Sequence, residues 1–234
     1  KAAVRERRAR NEPIVVKPRH GSNSKHVSLW PAPLDAGEAE VLASADSAME
    51  SWDDSWDRES WNQNAVPRGC LLQPLYAPMA SFLGPGEEAC ALLSRPLELK
   101  VQVLFGEAVG GTLNTHCSNL WVTRRGGVRV WDQARPGFLR RHQAAAPPLP
   151  PRVLEVLRRA LRESWARVRA DSEALARAAG LDELRVDWLL GDPRWGPRVG
   201  ELTYMGTFAL AVMPISTRLA RAFAAAHLER LAGR

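Results

Sequence analysis

The chain has 234 residues, 45% hydrophobic and 25% charged, with a net charge of +6. That is a globular composition, long enough for one large domain or two small ones, and its most apolar stretch (208–216, broken by Pro214) is too short to span a membrane. Cys70, Cys90 and Cys117 are widely spaced without a CxxC pattern, which argues against a disulfide framework or a zinc site and predicts reduced thiols in the cytoplasm. The positive excess suits an anionic partner, and nucleic acid, nucleotide phosphate and acidic substrate fit it equally well. No secretory leader is recognisable, and because residue 1 is lysine a preceding segment is expected.

In chain order, "KAAVRERRAR" reads as the solvated end of a helix, and "PIVVK" (13–17) as a strand ending at the loop "PRHGSNSK". Residues 35–56 form a predicted helix with Asp35 as N-cap. Trp52 and Trp56 share one face of it and Trp61 follows, a group that suits core packing better than base stacking. "RGCLLQPLY" (68–76) is a strand running into a proline-bounded connection. Residues 96–113 alternate as a strand, with Leu97, Leu99, Val101 and Val103 on its dry face and Glu98, Lys100 and Gln102 on its wet one. "LWVTRRGGVRVW" (120–131) is a hairpin about Gly126 and Gly127.

After the proline-rich connection at 144–151, helical spacing places Val153, Val156, Leu157, Ala160, Leu161, Ser164 and Val168 on one face. That helix, or a short second one, stops at Gly180. The arginines at 158, 159, 162, 167 and 169 cover its outer side. A second hairpin spans 185–203, and an amphipathic helix closes the chain at 216–233. Helices mixed with mostly antiparallel strands give an α+β fold.

The second hairpin, "RVDWLLGDPRWGPRVGELT", carries chemistry. With its turn centred on Arg194, Asp187 faces Glu201, Arg185 faces Thr203 and Leu189 faces Val199, while Val186, Trp188, Leu190 and Leu202 form the opposite, apolar face. Two carboxylates about 4 Å apart repel by about 4 kcal/mol at an effective dielectric of 20. Either the acids splay into water, or a cation sits between them. Arg185 can neutralise part of the charge, and Mg²⁺, which binds through one or two carboxylates plus substrate phosphates, satisfies both acids. A phosphate partner is offered by Lys17 and the small-residue loop Gly21, Ser22, Asn23 and Ser24, whose N–H groups can curl around an anion. His20 in that loop either contacts phosphate or steadies the turn. His26, His116, His142 and His227 lack metal-ligand spacing. His116 and Cys117 are adjacent and so would point to opposite faces of a strand, which argues against a thiol dyad.

Taken in order, "VVKPRHGSNS", the tryptophan-bearing helix, "RGCLLQPLY", "PLELKVQVLFGEAV", "LRVDWLL" and "GELTYMG" resemble the TupA-like branch of the ATP-grasp superfamily over roughly residues 13–207. The resemblance implies two α+β subdomains (1–76 and 77–234) gripping ATP in a cleft, without the domain that usually precedes the lysine strand. It implies an ATP- and Mg²⁺-dependent ligase that joins a carboxylate to an amine or similar nucleophile through an acyl phosphate. The acceptor would be a small molecule, glycan or peptide, as in polysaccharide or cell-envelope modification.

Carried over by the resemblance, Lys17, His20 and the 21–24 loop meet the nucleotide phosphates, and Gln73, Pro74, Leu75 and Tyr76 line the adenine hinge. Glu98 and Lys100 face the ribose and phosphates. Asp187, Glu201 and Thr203 hold Mg²⁺, and Arg185 lies near the transferred phosphate or the acceptor carboxylate. The chain departs from the wider superfamily at Gln73, often a glutamate, and at Thr203, often an asparagine although threonine is usual in this branch. It also lacks the proline-glycine turn that often follows the metal ligands. Two rival readings stand beside the ligase: a relic that binds nucleotide without turnover, and a basic polyanion-binding module.

Overall fold

The structure, a computed structural model, describes residues 2–19, 26–31, 37–50, 66–78, 96–113, 120–130 and 151–203. The expected phosphate loop (His20 to Ser24), the tryptophans at 52, 56 and 61, the His116–Cys117 pair and the closing helix at 216–233 lie outside the described residues. The chain divides into two compact units, residues 1–76 and 77–234. Among the described residues no helix is long and apolar enough to cross a membrane.

In the first unit, helix α1 (Ala2–Ala9) and strand β1 (Ile14–Pro18) follow the sequence expectation. β1 is the centre of an antiparallel sheet ordered β2-β1-β3, with β2 at Ser28–Trp30 and β3 at Cys70–Pro74. β2 is too short to show an alternation, and sequence patterning missed it. Helix α2 (Glu38–Glu50) begins after Gly37 rather than Asp35, and the Gly37 N–H donates to Glu40 Oε2 at 2.9 Å, half of a capping box. Ile14 and Val16 turn one sheet face towards Val4, Val41 and Ala48, and these five side chains form the unit's core. The alternation of β1 sends Val15 and Lys17 to the other face, where their register partners are Gln73 and Leu71.

In the second unit six antiparallel strands are ordered β7-β6-β5-β4-β8-β9 and packed on one long helix. The segment 96–113, expected to be one strand, is instead a hairpin of β4 (Leu97–Leu104) and β5 (Glu107–Leu113). Phe105 and Gly106 both take positive φ (50° and 78°), the combination a two-residue hairpin turn needs, and an alternation count cannot see it. β6 (Leu120–Thr123) and β7 (Val128–Val130) form the expected hairpin about Gly126 and Gly127.

Helix α3 (Pro151–Ala179) is continuous over 29 residues and ends at Gly180, which takes φ +65°. It buries Val153, Val156, Leu157, Ala160, Leu161, Trp165, Val168, Ser172 and Ala176 against Leu99, Val101, Val103, Val186, Trp188 and Leu190 of the sheet. Ser164, expected on this face, is only partly buried, and the larger Trp165 takes the inward place. Burying tryptophan and serine requires partners for their polar atoms. Trp188 Nε1 donates to Ser172 Oγ (2.9 Å), Ser172 Oγ donates to the Val168 carbonyl (2.6 Å), and Trp165 Nε1 donates to the Arg124 carbonyl (3.1 Å).

The final hairpin, β8 (Glu183–Leu190) and β9 (Arg198–Thr203), holds the expected pairs Asp187↔Glu201 and Arg185↔Thr203. The next pair is Trp188↔Val199, so Leu189 faces Arg198 and not Val199. Gly200 is the additional residue of a β-bulge there, which slips the register by one position. Leu202, expected in the apolar core face, is 51% exposed. It sits on β9, the last strand in the sheet order, while its register partner Val186 is fully buried on β8.

Candidate functional site

Because the apolar residues of β4 and β8 face α3, their alternate residues fall together on the opposite side of the sheet. Register brings Lys100 opposite Asp187 and Gln102 opposite Arg185, while β9 adds Glu201 and Thr203. Asp187 is 1% exposed and receives three charged donors. Arg185 grips it with both arms of its guanidinium, Nε to Oδ1 at 2.8 Å and Nη2 to Oδ2 at 3.1 Å. Lys100 Nζ donates to Oδ2 at 3.0 Å. The same Arg185 Nη2 donates to Thr203 Oγ1 at 3.0 Å, and Thr203 Oγ1 reaches Glu201 Oε1 at 3.5 Å. Lys100 also lies 3.7 Å from Glu98 Oε2.

A carboxylate this deeply buried persists as a charge only with such partners. Among the described residues two cations (Lys100 and Arg185) stand beside three carboxylates (Glu98, Asp187 and Glu201). Its donors are hard oxygens, the set that magnesium takes. Among the described residues no group of three or more His, Cys, Asp or Glu side chains is arranged to hold a metal ion. Two carboxylates and a hydroxyl would therefore need phosphate or water oxygens to complete a shell.

Two buried polar residues of the second unit were not assigned by sequence reasoning. Gln102 is buried beside Arg185 in register, on the face that the alternation of β4 had marked as wet. Asp192, in the β8–β9 connection, is buried and accepts from the Ala77 amide (3.1 Å), the Arg194 amide (2.9 Å) and the Arg194 guanidinium (2.7 and 3.1 Å). Burial alone would raise its pKa, but the bonds from Arg194 and the two amides outweigh it and hold the carboxyl below its ordinary value. The signal was present in "GDPR", an aspartate placed to bond the backbone two residues on.

The expected hinge residues lie in the first unit. Gln73 is half-buried beside Val15, and Tyr76 is buried. The Leu75 N–H donates to the Pro13 carbonyl at 2.9 Å, which secures the end of β3. Lys17 is half-buried on the face opposite the helices, together with Leu71 and Gln73. Along the outer side of α3, Arg162 pairs with Glu155, Arg167 with Asp171 and Arg169 with Glu173. With seven arginines against four acids, α3 keeps a net charge of +3.

No protein-family model matches the chain, and no curated protein matches it. Among solved structures, it is similar to the ATP-grasp ligase PsnB complexed with a minimal precursor (15% identity, TM-score 0.43, covering 96% of this chain and 52% of that one). It is also similar to PsnB complexed with precursor peptide PsnA2 and AMPPNP (14%, 0.44, 96% and 50%). A third match is PsnB with minimal precursor, Mg and ADP (14%, 0.44, 96% and 49%). The chain spans about half the length of these solved chains.

Proposed function

We propose that the chain is an ATP- and Mg²⁺-dependent ligase of ATP-grasp type, of the TupA-like branch, that joins a carboxylate to an amine or similar nucleophile. The observation that supports it is the buried Asp187, held by Arg185 and Lys100 and flanked by Glu201 and Thr203 on one sheet face. Such a cluster is costly for stability alone, since apolar side chains of similar volume fill the same space at no loss. Its value lies in binding charge.

In this reading Asp187, Glu201 and Thr203 hold Mg²⁺, which when bound neutralises charge on the nucleotide phosphates. Arg185, fixed by Asp187 and Thr203, presents its guanidinium to the transferred phosphate or to the acceptor carboxylate. Lys100 and Glu98 face the ribose and phosphates, and Lys17 is assigned to the phosphates on sequence grounds. The acceptor carboxylate attacks the γ-phosphorus as ADP leaves, and the amine then attacks the acyl carbon as phosphate leaves. These groups supply orientation and charge compensation, which is most of what phosphoryl transfer asks of a protein. The acceptor is a small molecule, glycan or peptide, and the reaction belongs to the cytoplasm.

One observation favours a second reading, nucleotide binding without turnover: both oxygens of Asp187 are already engaged by cations. ADP release by the full chain, screened over carboxylate and amine pairs, tests the proposal. A ligase releases ADP only with its acceptor pair and loses that activity in Glu201→Gln. Nucleotide binding with no ADP release over the whole screen would favour the relic, and no nucleotide binding at all would refute both readings.

A further inference from the structure

The two cations on Asp187 are not equivalent. Arg185 is 7% exposed and fixed by a bidentate grip on the carboxylate and a third bond to Thr203. Lys100 is 26% exposed, makes one bond to Asp187 from a flexible stem, and has a second carboxylate, Glu98, 3.7 Å away. A planar fork locked at three points stays; a point charge on four methylenes can swing. Asp187 Oδ2 already accepts from Arg185 Nη2 at 3.1 Å and from Lys100 Nζ at 3.0 Å, which uses both of its lone pairs, so a divalent metal would have to displace one donor, and the ammonium repels its charge.

We propose that Lys100 is a resident counter-ion which a divalent cation must displace from Asp187, so that the site takes metal weakly alone and more tightly together with a polyphosphate that receives the released ammonium. The inference rests on the reading that Asp187 and Glu201 hold metal. With metal alone, the displaced ammonium is left close to the new cation, with Glu98 as its one other carboxylate partner among the described residues. With metal and polyphosphate together, a phosphate oxygen gives the ammonium a new partner. Metal and polyphosphate therefore raise each other's affinity, and the coupling is reciprocal. Until both arrive, Lys100 keeps the buried carboxylate paired.

The test is binding of Mn²⁺ to the full chain with and without ADP or tripolyphosphate, followed as manganese retained with the protein on ultrafiltration, since both polyphosphates also bind the ion in solution. Wild type should bind Mn²⁺ weakly alone and at least about ten-fold more tightly with either polyphosphate, a factor worth about 1.4 kcal/mol. Lys100→Met, and independently Lys100→Gln, should bind Mn²⁺ without polyphosphate about ten-fold or more better than wild type. Lys100→Arg, which keeps the charge, should remain as weak as wild type. Asp187 retains Arg185 in all three variants, and circular dichroism checks that they fold.

If wild type takes up Mn²⁺ with ADP while neither neutral variant gains affinity without it, the counter-ion role is overturned and the metal reading survives. If wild type with ADP and the neutral variants all fail to bind Mn²⁺, the metal reading is overturned and the counter-ion role with it.

Discussion

Replacing Arg185 by methionine should destabilise the second unit severely, because it strips a buried carboxylate of its bidentate partner. At 2.8 and 3.1 Å the two contacts correspond to about 5–6 kcal/mol of attraction at an effective dielectric of 20. Both side chains are over nine-tenths buried, so solvent screening removes little of it. Removing one partner of a buried pair costs about 3–5 kcal/mol, since the remaining charge keeps its desolvation penalty. Lys100 stays on Oδ2, which places Arg185→Met at the lower end of that range. The double variant Arg185→Met/Asp187→Leu removes both charges and should lie within about 1 kcal/mol of the parent. Hydrogen exchange at the β4 and β8 amides reads the unfolding free energy of this unit directly. A single variant that loses under about 1 kcal/mol, or a double variant as unstable as the single, would refute the argument that Asp187 is a buried charge dependent on Arg185.

Two other perturbations separate backbone from packing and charge from shape. Gly126 takes φ +80° with Trp165 Cδ1 only 2.6 Å from where a Cβ would stand, so Gly126→Ala should cost about 2–4 kcal/mol in unfolding free energy. Gly180→Ala, at φ +65° with nothing within 4 Å, should cost only about 1–2 kcal/mol, and thermal melts compare the two. Asp192→Asn should lose about 2 kcal/mol at neutral pH by weakening bonds from Arg194 and the Ala77 amide. Because the Asp192 pKa is lowered in the fold, its contribution is present above the ordinary aspartate value and is lost as pH falls through the folded one. Melting temperatures of variant and parent should thus converge in acid, and a gap that persists unchanged at low pH contradicts the charge-based account.

The sequence resolved local patterns well and long-range pairings poorly. Alternation in β1 and β4, the 3.6-residue spacing of α3 and the Gly180 stop were legible because each is a property of neighbours along the chain. The Asp187↔Glu201 and Arg185↔Thr203 pairs were legible because a hairpin fixes register locally. The slip beyond them was missed, although Gly200, an isolated glycine within a strand pattern, is the kind of residue that marks a bulge. The β4–β5 turn was hidden because Phe105 occupies a left-handed position that glycine or asparagine more often takes.

The largest omission was that Lys100 neutralises Asp187. Lys100 was assigned to the phosphate side and Asp187 to the metal, yet β4 pairs with β8 across 87 residues of sequence, and only that pairing sets them 3.0 Å apart. Direct opposition of two acids suggested a missing cation, and the fold supplies two of its own. Glu201, the register partner of Asp187, is exposed and is the carboxylate through which the proposed metal would be most accessible.

Glu201 is therefore the most direct place to test the function, because it is exposed and its neutralisation leaves the buried Arg185–Asp187–Lys100 cluster intact. Calorimetric titration of a non-hydrolysable ATP analogue into wild type and Glu201→Gln, each with Mg²⁺ and again with chelator, measures the contribution of that carboxylate. The account predicts that Glu201→Gln binds at least about ten-fold more weakly with Mg²⁺ present and equally without it. Equal affinities in Mg²⁺, or no binding of the analogue by wild type, would contradict it.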